Sequence, residues 1–401
     1  MSGVYAQAAD KPWSIGATVR GFYDDNPLTR PDGVAEESFG IQGGPNIGYT
    51  IDANGTKFAA TYEYRYRYFE ADFMRDDQIH RIDVSLERQV NENLNVYVSD
   101  QFVSTREPTI IEPSGAVTTL LRTESDVIRN YATAGFVRQL NDTTSIGVEY
   151  NNRYYDYDDP GFSRILDRVE HAVTVDGRKV LREDQGLAVT TGIVGYQFED
   201  VGFSDDSAIA PGVTPDIRDR RSHFLFVGAD HLFSERLQGS IRVGVQMTDY
   251  HNTPNDQDVT NPYVDAKMAY QVDESGVLAV GVRHNRASTD ISAFAPGVTP
   301  GGVTLDQEVT TVYGQYSRDL VPEKLTLRVS GQAQLASFNG GAFDNTDETL
   351  ILVGGSLDYK FNENLTGEFG YRYQDLSNDG PLAPIREFDR NYVYIGLTAS
   401  Y

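Results

Sequence analysis

The sequence predicts an all-β protein: a transmembrane, antiparallel, up-and-down β-barrel of about eighteen strands, with short periplasmic turns and long extracellular loops. Three observations predict it. Apolar and polar residues alternate along segments of ~10 residues or more, the length a tilted strand needs to cross a bilayer, whereas strands of soluble proteins typically run ~5–6 residues. The connections between these segments are short and long by turns. The composition is rich in Tyr (25) and Gly (37), with one Trp, no Cys and a formal charge of −25 from 34 basic and 59 acidic residues.

The same composition excludes much else. An acidic chain lacks the clustered Lys and Arg that a phosphate backbone requires, so nucleic acid is not an expected partner. Without cysteine there are no disulfides, zinc-thiolate sites or thiol nucleophiles. No apolar run approaches the ~18 residues of a membrane-spanning helix.

In chain order, residues 1–9 contain Ala6-Gln7-Ala8, the small-x-small pattern of a signal-peptidase site, and are expected to be a signal-peptide remnant or a disordered N-terminus. Residues 10–401 then form one barrel domain, because no linker or composition shift divides them. Alternation places strands near 13–24, 37–51, 56–69, 79–90, 93–105, 127–140, 144–157, 166–180, 186–199, 219–233, 236–251, 262–272, 275–289, 305–319, 323–337, 347–361, 364–376 and 387–401. That makes eighteen, with sixteen as the main alternative. The patterning is plainest where Phe58, Ala60, Tyr62, Tyr64, Tyr66 and Tyr68 oppose Thr61, Glu63, Arg65 and Arg67. Likewise Ile82, Val84 and Leu86 oppose Arg81, Asp83, Ser85 and Glu87, and Leu365, Phe369, Tyr371 and Tyr373 oppose Thr366, Glu368 and Arg372. In strand 93–105, Asp100 falls on the apolar register, which suggests a bulge or local register change. The C-terminal Asn391-Tyr-Val-Tyr-Ile-Gly-Leu-Thr-Ala-Ser-Tyr401 alternates and ends on an aromatic residue. Gly396, Ala399 and Tyr401 resemble the terminal signal read by barrel-assembly machinery, Ala399 being smaller than usual at its place.

Eight short polar turns, among them Val90-Asn-Glu-Asn-Leu94, Phe233-Ser-Glu-Arg-Leu237 and Phe361-Asn-Glu-Asn-Leu365, supply the Asn, Asp and Gly that tight hairpins need. The long loops are acidic. Their clusters (Asp24-Asp25, Glu36-Glu37, Asp156/Asp158/Asp159, Asp205-Asp206, Asp256/Asp258) are expected to be solvated, repulsive loops with no cofactor; calcium, bridging to lipopolysaccharide, is the alternative, though none has a complete calcium-loop pattern.

The candidate functional residues are the charged side chains on the faces opposite the apolar stripes. These are Arg65, Arg67, Arg81, Arg153, Arg242, Lys267, Arg283, Arg328, Arg372 and Arg390, with the acids Glu63, Asp83, Glu87, Glu149, Asp265 and Glu368. Two readings stand: a self-neutralised wall of ion pairs stiffening a wide lumen, or a guanidinium-lined conduit for anionic solute or polymer. The longest loop, residues 105–126, carries both signs in Arg106, Glu107, Glu112, Arg122 and Glu124 and is the candidate constriction or gating loop. The Tyr62–Tyr68 stripe is expected to face lipid; Tyr97, Tyr155, Tyr392 and Tyr394 suit the alternative of sugar stacking inside better, with structural packing the expected role of each. His223 and His231 lie eight residues apart, too far to share a metal ion. No serine elbow, phosphate loop or dinucleotide fingerprint is present, so an enzyme is not expected.

Finally, Leu94-Asn-Val-Tyr-Val-Ser-Asp-Gln-Phe102 with Arg106-Glu107-Pro108, Ser222-His-Phe-Leu-Phe-Val-Gly-Ala-Asp230 and Leu237-Gln-Gly-Ser-Ile-Arg-Val-Gly244 resemble the β-barrel porin 2 family of outer-membrane proteins. The likeness covers most of residues 13–401 through short, degenerate motifs. It implies location in the bacterial outer membrane and, for members encoded beside exopolysaccharide machinery, export of a secreted polysaccharide with a separate periplasmic export protein as partner. It supplies no catalytic residues. The expected function is an aqueous conduit for exopolysaccharide. The alternatives are a general diffusion porin for small, anionic solutes and a structural or adhesive surface barrel plugged by its loops. Outer-membrane lipid, lipopolysaccharide and the assembly machinery complete the expected partners.

Overall fold

In the computed structural model the described residues are 11–31, 33–106, 109–111, 117–120, 125–184, 188–204, 208–209, 212–253, 257–289, 291 and 302–401. Eighteen strands form one antiparallel sheet that closes on itself. They are β1 (Trp13–Asp24), β2 (Ser38–Ala53), β3 (Thr56–Phe69), β4 (Asp77–Asn91), β5 (Leu94–Thr105), β8 (Val127–Asn141), β9 (Thr144–Tyr157), β10 (Arg168–Asp184), β11 (Ala188–Phe203) and β12 (Arg220–Ser234). The round continues with β13 (Leu237–Tyr250), β14 (Gln257–Gln271), β15 (Gly276–Ala287), β16 (Asp306–Val321), β17 (Leu325–Asn339), β18 (Asp347–Asn362), β19 (Leu365–Asn378) and β20 (Phe388–Ser400). A two-stranded hairpin, β6 (Thr109–Ile111) and β7 (Val117–Leu120), stands apart in the loop after β5.

Each wall strand pairs with its sequence neighbour, and β1 pairs with β20 from Gly16↔Ser400 to Asp24↔Tyr392. The seam is finished by reciprocal backbone bonds between Ile15 and Tyr401 (3.1 and 2.8 Å). Closure leaves no unpaired edge, and closed barrels are the β architecture a bilayer core tolerates. The sixteen-strand alternative is thereby set aside.

A local device recurs among the eight short turns. In four of them the first residue (Asn91, Asn141, Ser234, Asn362) carries a side-chain oxygen that accepts the backbone N–H two residues on, at 2.9–3.3 Å. At each of these turns the register slips by one residue just before the reversal. Such Asx-type turns let Asn and Ser stand in for a backbone turn. The Asn54-Gly55 turn instead takes left-handed dihedrals at both positions (φ 53° and 72°), the primed hairpin geometry that matches strand twist.

The outer face is a band of exposed aliphatic and aromatic side chains. It includes Ile15, Val19, Ile41, Val194, Val227, Leu335, Ile395 and Leu397, each at least half exposed. An apolar band this extensive on a closed barrel has lipid as its solvent, so the protein is an outer-membrane β-barrel. The Tyr62–Tyr68 stripe lies on this face, since Arg67 pairs with Gln42 and Glu63 with Asn46 on the other. Three outward Tyr–His pairs repeat one diagonal geometry: Tyr62–His80, Tyr150–His171 and Tyr196–His223, hydroxyl to Nδ1 at 3.0, 2.8 and 2.7 Å with near-parallel rings.

The bulge expected at Asp100 is absent. Pairing runs unbroken through Val84↔Asp100 and Asp100↔Ala132, so the carboxylate points outward with the apolar register. Asn130 of β8 explains how it stays there, donating its amide to both carboxylate oxygens (3.1 and 3.0 Å).

Candidate functional site

Two observations fix which face is the lumen. Ser288, just beyond β15, donates its hydroxyl to Glu170 of β10 (3.4 Å) and accepts from Arg220 of β12 (3.1 Å). Three residues later Ile291 packs against Phe338, Phe343 and Leu382, the last in the loop between β19 and β20. Strands β10 and β19 lie half a circumference apart in the sheet order, so this segment crosses the inside of the barrel.

On that inner face the register places all ten candidate basic residues: Arg65, Arg67, Arg81, Arg153, Arg242, Lys267, Arg283, Arg328, Arg372 and Arg390. Glu63, Asp83, Glu87, Glu149, Asp265 and Glu368 share it. Most of the guanidiniums are matched. Arg81 meets Asp83 (2.8 Å), Arg153 meets Glu170 (3.2 Å), Arg242 meets Asp230 (2.9 Å), Arg283 meets Asp265 (3.2 Å) and Arg390 meets Asp24 (2.6 Å). Arg65 pairs with Glu63 and Arg328 with Asp358. Arg67 gives its Nε–H to Gln42 (3.1 Å). Arg372 and Lys267 differ: among the described residues neither has a carboxylate within ion-pair distance. The self-neutralised wall therefore describes most of the lumen, with local exceptions.

Sequence reasoning missed Arg20, Arg129, Arg168, Arg178 and Arg220, which the register also turns inward. Arg20 forms a two-point pair with Glu368, Nη2 to Oε2 at 2.9 Å. The pair lies over Gly396, where a Cβ would collide with Arg20 Cγ and Glu368 Oε1, which gives that assembly-signal residue a packing reason. Ala399 faces outward and Tyr401 sits beside Trp13 (6.0 Å) with Lys11 Nζ 4.1 Å above its ring. Strict alternation applied to the Gly- and Thr-rich β1 would have found Arg20.

At the extracellular end of the lumen, described residues of the loops 157–168, 203–220 and 287–306 meet at Arg218, which has no exposed surface. Its guanidinium donates to the carbonyls of Ile165 (2.6 Å), Leu305 (3.5 Å) and Thr289, and its Cζ lies 4.1 Å from the Phe203 ring centroid. Val213, Ile217 and Val303 form an apolar knot beside it. Toward the short turns, by contrast, inward Glu87, Lys267, Arg328 and Lys360 are exposed. Inward side chains are thus exposed toward the short turns and buried toward the long loops.

Of the expected constriction loop, Arg106 ion-pairs with Asp126 at the loop's base (2.9 Å). Glu107, Glu112, Arg122 and Glu124 lie outside the described residues. The described loop residues that pack inside the mouth include 212–220, 287–289, Ile291 and 302–306. Of the acidic clusters, Asp24 is engaged by Arg390 and Asp25 by Asn391. No group of three or more His, Asp or Glu with metal-binding geometry occurs among the described residues.

Inward aromatic rings lie flat on the wall. A methyl group at Gly370, Gly40, Gly135, Gly195 or Gly281 would overlap the ring of Tyr394, Phe22, Tyr97, Phe226 or Tyr313 respectively. Glycine at the facing position lets the ring lie along the strand and keeps the lumen wide. Tyr155 is excluded as a platform, because Arg168 covers it at 3.7 Å and Tyr131 abuts it edge-on.

No family model and no curated protein matches the sequence. Among solved structures the chain is similar to OccK2 (OpdF) of Pseudomonas aeruginosa, with 11% identity over 97% of this chain and 98% of that one, TM-score 0.46. It is similar also to the siderophore receptor PirA of Pseudomonas aeruginosa (10%, 98% and 81%, TM-score 0.40). A third is the FrpB iron transporter of Neisseria meningitidis (8%, 98% and 82%, TM-score 0.45). At such identities residue roles do not transfer. The class stands on the geometry: a closed, eighteen-stranded outer-membrane barrel with a polar lumen.

Proposed function

We propose that the barrel is a gated outer-membrane conduit for a secreted exopolysaccharide. One observation carries the reading: inward side chains are exposed toward the short turns and buried among loop residues toward the outer end, on a wall of flat aromatic rings. A diffusion porin for nutrients needs a standing opening to the outside. A conduit loaded from within needs one only while polymer passes, and loop closure protects the cell otherwise. Polymer synthesis at the inner membrane would drive transit, and the barrel would offer weak, repeated contacts, since tight sites would arrest a polymer. A separate periplasmic export protein would dock at the eight short turns. The resemblance to the β-barrel porin 2 family belongs to the same proposal.

The second reading, a structural barrel plugged by its loops, is favoured by the complete burial of Arg218 and Ile291. Deleting the chain from its native cell decides between them. Loss of surface polysaccharide with polymer accumulating in the periplasm supports the conduit; unchanged surface polysaccharide overturns it.

A further inference from the structure

Below the outer mouth, the inner wall across β19, β20, β1, β2 and β3 gathers arginines and aromatic rings. Arg372 stands over the Tyr392 ring, Cζ to centroid 4.6 Å. Phe22 stacks on Tyr392 (5.4 Å, 27° between planes) and Phe69 meets Phe22 edge-on (5.4 Å). Gln42 Nε2 donates to the Tyr392 hydroxyl (3.3 Å), which pins the ring from a third strand. Arg372, Gln374, Arg390 and Tyr392 line a shallow depression in the wall.

Charge is distributed unevenly in this patch. Asp24 neutralises Arg390 and Glu368 neutralises Arg20. Arg372 is half-buried, its guanidinium held by an aromatic face and, among the described residues, by no carboxylate. Beside it Tyr394 lies flat over Gly370, half-buried, its centroid 5.8 Å from that of Tyr392 and 5.1 Å from Arg20 Cζ. A planar fork of N–H donors thus adjoins an aromatic face. The fork matches a carboxylate in two-point geometry, and the ring's electron-rich face attracts the polarised C–H groups of a pyranose.

We infer that Arg372, Tyr392 and Tyr394 form a binding station for a carboxylated sugar, a hexuronate-type residue of the polymer. Arg372 takes the carboxylate, Tyr394 takes the sugar's C–H face, and Tyr392, locked by Phe22 and Gln42, holds the guanidinium in place. The inference rests on the saccharide-conduit reading and names the sugar chemistry of that lumen. Because most other wall arginines are matched by an acid, selectivity for anionic sugar would be concentrated at this station.

The test is isothermal titration of the refolded barrel in detergent with trigalacturonate, maltotriose and citrate. Trigalacturonate is expected to bind at least tenfold more tightly than either of the others, because it alone offers both a carboxylate and a sugar face. Arg372→Gln should weaken trigalacturonate at least tenfold and leave maltotriose unchanged, with Arg372→Lys recovering only part of the loss. Tyr394→Leu should weaken both saccharides. Heat-modifiable migration of each variant on gels reports that the barrel is intact. Unchanged trigalacturonate binding by an intact Arg372→Gln barrel overturns the station and leaves the conduit standing. Citrate binding as tightly as trigalacturonate overturns the sugar face. A wild-type barrel that binds neither saccharide overturns the station and counts against the conduit with it.

Discussion

Replacing Arg218 by Met keeps most of the apolar stem and removes the guanidinium that ties loops 157–168, 203–220 and 287–306 together. The side chain makes hydrogen bonds to three backbone carbonyls from a fully buried position and stacks on Phe203. Bonds from a charged donor contribute about 1.5–3 kcal/mol each. Water entering the vacated space recovers part of that, and the variant no longer buries a charge. A buried acceptor left without its donor costs about 1–3 kcal/mol, so with three carbonyls stranded and water recovering part, the net loss is set at about 3–4 kcal/mol. At about 1.4 kcal/mol per tenfold, the closed arrangement of the mouth loses a factor of roughly 10²–10³ over open ones. Arg218 ends a short turn of 3₁₀ helix, Pro215–Arg218, outside the ladder, so the barrel itself should keep its thermal stability. Single-channel recording in planar bilayers reads the effect: Arg218→Met should raise open probability at least a hundredfold with wild-type melting. Identical gating in wild type and variant would refute the assignment of these loops as the gate.

Other perturbations follow from the same geometry. Asn130→Ala should destabilise the barrel by about 1–3 kcal/mol by stranding the outward Asp100 carboxylate, while Asp100→Leu with Asn130→Val should be neutral or stabilising; equal losses in both would contradict the pairing. Gly370→Ala must push the Tyr394 ring off the wall, so an open barrel should conduct less while its melting shifts little; unchanged conductance would mean the ring does not line the path. In the periplasmic turn, hydrogen bonds from the Ser275 backbone and hydroxyl, with Arg318 nearby, hold the Asp273 carboxyl below its usual range. Folding therefore gains from ionised Asp273 above the unfolded value of about 4 and loses that gain as pH falls through the folded value. Amide exchange at Ser275 should accelerate in Asp273→Asn at neutral pH and match wild type in acid, and a difference that persists in acid would contradict the linkage.

The strands were legible because both their signals are local. Alternation such as Phe58 to Tyr68 has period 2, and turns such as Asn91-Glu-Asn93 carry their own bonding side chain. Strand limits read from the sequence fall within a few residues of those observed, 127–140 against Val127–Asn141 for β8. What sequence could not supply depends on register between strands. Arg153 belongs with Glu170 and Arg283 with Asp265 only once the neighbouring strand is set beside them. Asp100 misled for the same reason: its partner, Asn130, lies thirty residues on. The closure of the mouth was hidden more deeply, since Arg218 is one arginine among several in an acidic loop and its partners are backbone carbonyls from other loops. The lone Arg372 becomes distinctive only after the acids around it are seen to be engaged elsewhere.

The central claim is a channel shut at its outer mouth and open to acidic saccharide from the periplasmic side. Single-channel conductance of the refolded wild-type barrel, with trigalacturonate added to one side at a time, tests it most directly. The account predicts a channel closed most of the time, whose brief openings are blocked by trigalacturonate from the side of the short turns at far lower concentration than by maltotriose. A large, steadily open pore indifferent to both sugars would contradict it.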